Sequence, residues 1–203
     1  MRTRLPLIAF ALAAAARPAP AAVPPVPTPD GNPITEDKRV LGKILFWDEQ
    51  LSSDDSIACG TCHRPAFGGA DPRSGRHTGI DKGTIDDVMG SPGIVSLGRD
   101  GHAQLHPLFG TGPQVTPRLA PSNFAGIWAD ELFWDGRAST LENQIRFPIE
   151  HPDEMGSTLD NAVDRFTRHD SYVRAFAQAF PDDPKITPAN IARALAAYER
   201  TLG

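Results

Sequence analysis

From Thr35 the chain reads TEDKRVLGKILFW, and its apolar positions Val40, Leu41, Ile44 and Leu45 recur at three- and four-residue spacing. Thr35 stands where an N-cap belongs, so the pattern predicts a helix from there to about Trp47. The same period returns late in the chain, over residues 141–147, 160–168, 171–180 and 189–202, with Thr187 as N-cap and Pro188 as first helical residue of the last segment. Between residues 67 and 129 neither the helical nor the strand period is sustained, and Gly and Pro are dense. That stretch reads as a long loop, which a small domain holds by wrapping it around a ligand. No internal repeat and no strand pattern is visible, so the expected architecture is mostly α.

Composition sharpens this picture. Twenty prolines and eighteen glycines among 203 residues put much of the backbone in loops, and a large prosthetic group could organise such a chain. With 40% hydrophobic and 22% charged residues it should fold as one sizeable domain. The net charge of −5, without runs of like charge, argues against nucleic acid or an anionic membrane surface as partner.

The N-terminus indicates a compartment. Arg2 and Arg4 precede an apolar run over residues 5–16 that is too short to span a bilayer, and Ala19-Pro20-Ala21 offers a small-x-small cleavage site. Residues 1–21 therefore read as a secretory signal peptide. Arg17 is the one feature against it, and an uncleaved membrane anchor is the alternative. Residues 22–33 form a proline-rich linker, and the folded part is expected to begin near Ile34. The destination is the periplasm or the cell exterior, with no membrane attachment after cleavage.

Both cysteines of the chain lie in Cys59-Gly60-Thr61-Cys62-His63. A disulfide between them would close too short a loop to constrain the unfolded chain. A thioredoxin-like pair would need a βαβ context, and a zinc site a second pair of ligands. The sequence shows neither. C-x-x-C-H fits covalent haem c instead, one per chain: the thiols of Cys59 and Cys62 add to the haem vinyl groups and His63 reaches the iron. A redox pair is the lesser alternative. The expected fold is then a cytochrome c-like domain whose Gly/Pro-rich loops wrap around covalent haem.

The blocks LGKILFWDEQLSSDDSIACGTCHRPAFGGAD, TPRLAPSNF, LFWDGRASTLENQIRFPIEHPDEMG and IARALAAYERTL resemble, in order, the N-terminal half of the bacterial dihaem cytochrome c peroxidases, a family that also contains the methylamine dehydrogenase maturation enzyme. Residues 34–203 are thereby identified as the family's N-terminal haem domain. Family members continue into a second haem domain, which this chain is expected to lack.

The resemblance implies roles for matching residues. His63 is the proximal ligand of the peroxide-reacting haem, and His77 the distal ligand that some members carry in the resting oxidised state. A solvated loop histidine is the alternative for His77; His102, His106 and Met89 are weaker candidates. Glu142 corresponds to the catalytic carboxylate that moves protons between the peroxide oxygens, with a helix cap or surface ion pair as the rival reading. Asn143 stands where many members have a second glutamate, and Leu132 where a distal glutamine is found. FWDGRA reads first as structure: Asp135 and Arg137 flank a glycine in a charge-paired turn, and Phe133 and Trp134 offer apolar area to the porphyrin or the core. Electron conduction by Trp134 or Trp128 is the second reading. The family's calcium site uses an asparagine in R-N-x-P; here Arg118-Leu119-Ala120-Pro121 lacks it, and calcium is not expected.

These implications make the expected function reduction of hydrogen peroxide to water with electrons from a small cytochrome c or copper protein. A dimer, or a second haem-bearing chain, would supply the electron-accepting haem. A single-haem electron-transfer cytochrome and a truncated half-enzyme are the alternatives.

Overall fold

Helix α1 (Glu36–Phe46) begins at Thr35, whose hydroxyl accepts a hydrogen bond from the Lys38 amide at 3.3 Å. Glu36 and Asp37 in its first turn and Lys43 in its last complement the helix dipole. The computed structural model describes residues 23–78, 83, 85, 87–124 and 126–203. The expected signal peptide lies outside them.

Leu41, Leu45 and Phe46 of α1 are buried, and the main partner of this face is α7 (Pro188–Glu199). Val40 and Ile44 are exposed, at 42% and 47%. At 3.6 residues per turn, positions 41 and 45 share one line along the helix while 40 and 44 lie about 100° away. The two helices approach closely because α7 presents Ala194, Ala196 and Ala197 and because α1 carries Gly42. A Cβ at Gly42 would lie 2.0 Å from the Ala194 carbonyl oxygen. α7 starts as its sequence indicates, with Pro188 at N1 and the Thr187 hydroxyl accepting from the Asn190 amide at 3.1 Å.

Around this pair lie α5 (Leu159–Phe166) and α6 (Asp170–Ala179), which contribute the fully buried Ala162, Phe166 and Phe176. The single helix expected over residues 141–147 is two short ones, α3 (Leu141–Gln144) and α4 (Arg146–Glu150), joined at Ile145. Pro148 lies within α4, where it supplies no amide donor. The haem motif forms the one-turn helix α2 (Cys59–Cys62).

Two findings depart from the sequence pattern. The stretch expected to be free of strands contains two antiparallel pairs, β1 (Gly75–His77) with β2 (Val88–Gly90) and β3 (Pro92–Val95) with β4 (Pro113–Val115). Strands of three or four residues are too short for alternation to show. The fold is thus a helical core with two small sheets.

Asn32, in the segment read as a linker, is 3% exposed. Its amide donates to Glu142 Oε1 at 2.8 Å and to the Arg193 carbonyl at 2.9 Å, and its Oδ1 accepts from Lys38 Nζ at 3.2 Å. Further back, the Pro25 carbonyl accepts from Trp128 Nε1 at 3.3 Å. The segment is a strap held by polar anchors, which a hydrophobic pattern does not register. Among the described residues, no helix is long and apolar enough to cross a membrane.

Candidate haem site

α2 is a single turn of CGTC, and the His63 amide closes it on the Cys59 carbonyl at 3.0 Å. The Thr61 hydroxyl accepts from the Ala58 amide at 3.0 Å and fixes the start of the turn. Cys59 and Cys62 are unbridged and pack against the hydrophobic core. Burial is the main cause that keeps both protonated: it pushes the Cys62 thiol up to about 12 and raises Cys59, which Glu199 raises further. A reactive redox pair needs a depressed thiol pKa, so this setting disfavours that alternative. Protonated thiols set against the core suit attachment to a haem edge.

His63 Nδ1 lies 2.9 Å from the Gly69 carbonyl oxygen. A carbonyl only accepts, so Nδ1 carries the proton and Nε2 keeps the lone pair a metal requires. Burial lowers the His63 pKa, the Gly69 carbonyl opposing it, which keeps the ring neutral. The Gly69 turn has φ 76, and a Cβ there would meet Asn123 Oδ1 at 2.3 Å, so glycine is required on both counts. The Asn123 amide donates to the same Gly69 carbonyl at 3.3 Å.

His77, at the end of β1, has the corresponding arrangement: its Nδ1 faces the Val115 carbonyl on β4 at 2.5 Å. Phe109 packs near its ring, and His106 stacks on Phe109. Among the described residues, the fully buried side-chain polar atoms without a hydrogen-bond partner belong to Thr78 and Asn123. One follows His77 in sequence and the other adjoins the Gly69 turn. Two protonated thiols, an imidazole whose Nδ1 is engaged by the Gly69 carbonyl and the unpartnered polar atoms of Thr78 and Asn123 fit a c-type haem. His102 is exposed, as is Met89 at 53%, and the described residues contain no group of three or more His, Cys, Asp or Glu side chains arranged to hold a metal ion.

Glu142 stands at the start of α3, which the Thr140 hydroxyl caps. Arg200 grips it with both guanidinium nitrogens, Nη1 to Oε1 at 2.7 Å and Nη2 to Oε2 at 3.0 Å, and Asn32 adds the third hydrogen bond. Burial raises its pKa, and the bonds from Arg200 and Asn32 more than offset this, so the carboxyl titrates below the ordinary range. The structure therefore places Glu142 in a polar clamp joining the strap, α3 and α7.

FWDGRA forms a tight turn. The Leu132 amide donates to the Ala138 carbonyl at 2.7 Å, Arg137 pairs with Asp135 at 2.7 Å, and the Arg137 guanidinium lies 3.5 Å from the Phe133 ring centre. Trp134 is 66% exposed and lies outside the protein core. A tight turn with φ near 70 at both Phe133 and Gly136 leaves this ring outside.

Three residues near the motif escaped the sequence reading. Arg73 Nη2 donates to Cys62 Sγ at 3.2 Å and to Asp71 Oδ2 at 3.0 Å, and the Asp71 side chain is wholly buried. Glu199, at the end of α7, is 7% exposed. None of the three carries a local signal, since charged residues are common on surfaces and only tertiary packing buries these.

The family described as Di-haem cytochrome c peroxidase matches residues 36–203. The chain is 33% identical over 177 residues to methylamine utilization protein MauG of Methylorubrum extorquens, covering 87% of this chain and 41% of that one. It is 35% identical over 173 residues to cytochrome c551 peroxidase of Pseudomonas aeruginosa, covering 85% and 41%. Among solved structures, a MauG-like protein associated with microbial copper homeostasis superimposes with a TM-score of 0.65 at 30% identity, covering 91% of this chain and 46% of that one. The chain thus spans about two fifths of the length of these curated relatives. From the haem motif to the last helix, it belongs to the dihaem cytochrome c peroxidase family.

Proposed function

We propose that the chain is a haem-bearing domain of a periplasmic oxidoreductase that reduces hydrogen peroxide to water with electrons from a small cytochrome c or copper protein. The observation that carries this reading is the trio of Cys59, Cys62 and His63, with both thiols neutral and the His63 tautomer set by Gly69. A haem bound there supplies the redox chemistry at iron. His63 would hold the iron through Nε2, and Cys59 and Cys62 would fix the porphyrin edge. Glu142 would accept a proton from one peroxide oxygen and return it to the departing one, which requires its carboxylate to turn from Arg200. Calcium is not part of the proposal.

Matured in a periplasm that attaches haem c, the chain should keep its colour in acid acetone and carry one haem. Cys62→Ala should retain a single thioether. Peroxide should change the absorption spectrum of the haem-loaded protein, and Glu142→Gln should slow that change by about 10²–10⁴-fold, the range for general acid–base catalysis. A chain without covalent haem overturns the reading; a loaded chain inert to peroxide overturns the peroxidase part.

His77, whose Nδ1 is engaged by the Val115 carbonyl, favours a second reading, a six-coordinate electron carrier. In that case the haem is low-spin in both oxidation states and inert to peroxide, and His77→Gly converts it to high spin.

A further inference from the structure

The outward face of α1 is apolar where a solvated helix would be polar. Val40, Ile44 and Trp47 stand at i, i+4 and i+7, on one stripe, and all three are exposed. Val173, next to Tyr172 in the sequence of α6, is a fourth exposed apolar side chain. Where α1 ends, a groove of about 510 Å³ is lined by Ile44, Trp47 and Tyr172 and by the carboxyl side chains of Asp48, Glu49 and Asp55.

Trp47 joins this surface to the haem motif. A Cβ at Gly60 would lie 2.4 Å from Cε3 and Cζ3 of the indole, so the ring rests on the backbone of α2 between Cys59 and Cys62. Glycine at that position is what lets the ring approach. The buried Phe46 meets the indole edge to face, with ring centres 5.7 Å apart. Trp47 is nevertheless 47% exposed. One aromatic side chain thus touches the attachment turn on one side and solvent on the other.

The groove carries more negative groups than positive ones. The Tyr172 hydroxyl donates to Asp48, and the Gln50 amide donates to it at 2.9 Å; both are neutral donors that bring no positive charge. Arg165 is bonded to Asp55 and to the carbonyls of Gln50 and Ser52, and Lys43 is the basic residue in the last turn of α1. Three carboxyl side chains thus stand against two cations, in a chain whose net charge is −5. An apolar stripe with an acidic border complements a protein that carries lysines around an apolar patch, and it repels an acidic one.

Resting on the haem assignment above, we infer that the stripe of Val40, Ile44 and Trp47, with its acidic groove, is where a lysine-rich small redox protein docks as electron donor, and that its electron reaches the haem through Trp47 and the Gly60 backbone. The transfer moves one electron: the partner's metal is oxidised by one unit and the haem iron reduced by one. No bond forms or breaks.

The test is nuclear magnetic resonance of the nitrogen-15-labelled, haem-loaded full chain titrated with mitochondrial cytochrome c, a small lysine-rich redox protein. Amide signals of residues 40–49 and the Trp47 indole N–H should shift, and affinity should fall as salt rises from about 20 to about 200 mM. Glu49→Lys, at an exposed position, should weaken binding about tenfold, mainly through slower association. Trp47→Leu should keep covalent haem and spin state but lose most of the rate at which bound, reduced cytochrome c reduces the haem, a loss that a purely structural role would not produce. Shifts confined to another face, affinity indifferent to salt or to Glu49→Lys, an unchanged transfer rate in Trp47→Leu, or sedimentation showing that a second copy of the chain covers the stripe overturns the inference and leaves the haem assignment standing. Docking at this face by a chain inert to peroxide refutes the peroxidase reading and leaves the docking face standing. A chain that attaches no haem overturns both.

Discussion

Replacing Arg200 by Met tests the clamp around Glu142. The Arg200 side chain is 6% exposed and that of Glu142 22%, and they share two hydrogen bonds of 2.7 and 3.0 Å. In Arg200→Met the carboxylate keeps Asn32 as its hydrogen-bonding side chain and still faces the like charge of Glu199. Breaking a buried pair from one side costs about 3–5 kcal/mol, and the partial exposure of Glu142 sets the expectation near ~3 kcal/mol. Glu142→Gln keeps an acceptor for Arg200 and should cost only about 1–2 kcal/mol. With the charge gone, adding Arg200→Met to Glu142→Gln should cost less than it does alone, giving a coupling of about 2 kcal/mol. Urea unfolding of the haem-loaded protein, followed by circular dichroism, reads these values. At a slope of about 2 kcal/mol per molar, Arg200→Met should lower the midpoint by about 1.5 M. A shift under about 0.3 M, or strictly additive single and double variants, would refute the clamp as a source of stability.

Stability should also depend on pH through Glu199. A folded-state value of about 7 against an ordinary 4.5 corresponds to about 3 kcal/mol favouring the protonated form. That contribution is complete below the ordinary value and is lost as pH rises through the folded one. The unfolding free energy of the wild type relative to Glu199→Gln should therefore fall by about 3 kcal/mol between pH 5 and 8, and a constant difference refutes it. Gly42→Ala should destabilise by at least about 1–3 kcal/mol in thermal or urea unfolding, because its Cβ would meet the Ala194 backbone rather than a movable side chain. Gly69→Ala should disturb the carbonyl that orients His63, so the haem-loaded variant should change its electron paramagnetic resonance spectrum; an unaltered spectrum counts against that orientation.

The helices at both ends of the fold were legible because their signals are local. Thr35, Thr187 and Pro188 act within one turn, and Leu41 with Leu45 repeats at the helical period. The strands were not legible, because three residues cannot show an alternation. Asn32 was read as tether because its burial rests on hydrogen bonds to residues 110 and 161 positions away.

For the site, the spacing of Cys59, Cys62 and His63 by itself determined which groups could attach a haem, since one helical turn sets their relative positions whatever surrounds them. Family resemblance added His77 and Glu142 as candidates but said nothing of their partners. Tertiary structure alone decided that the Gly69 and Val115 carbonyls accept from Nδ1 of the two histidines and that Arg200, 58 residues on, holds Glu142 ionised. It also decided that Glu199, at the end of α7, is buried. The physical reason is range: spacing and capping act over a few bonds along the chain, whereas tautomer, ionisation and burial depend on which distant segments fold against each group.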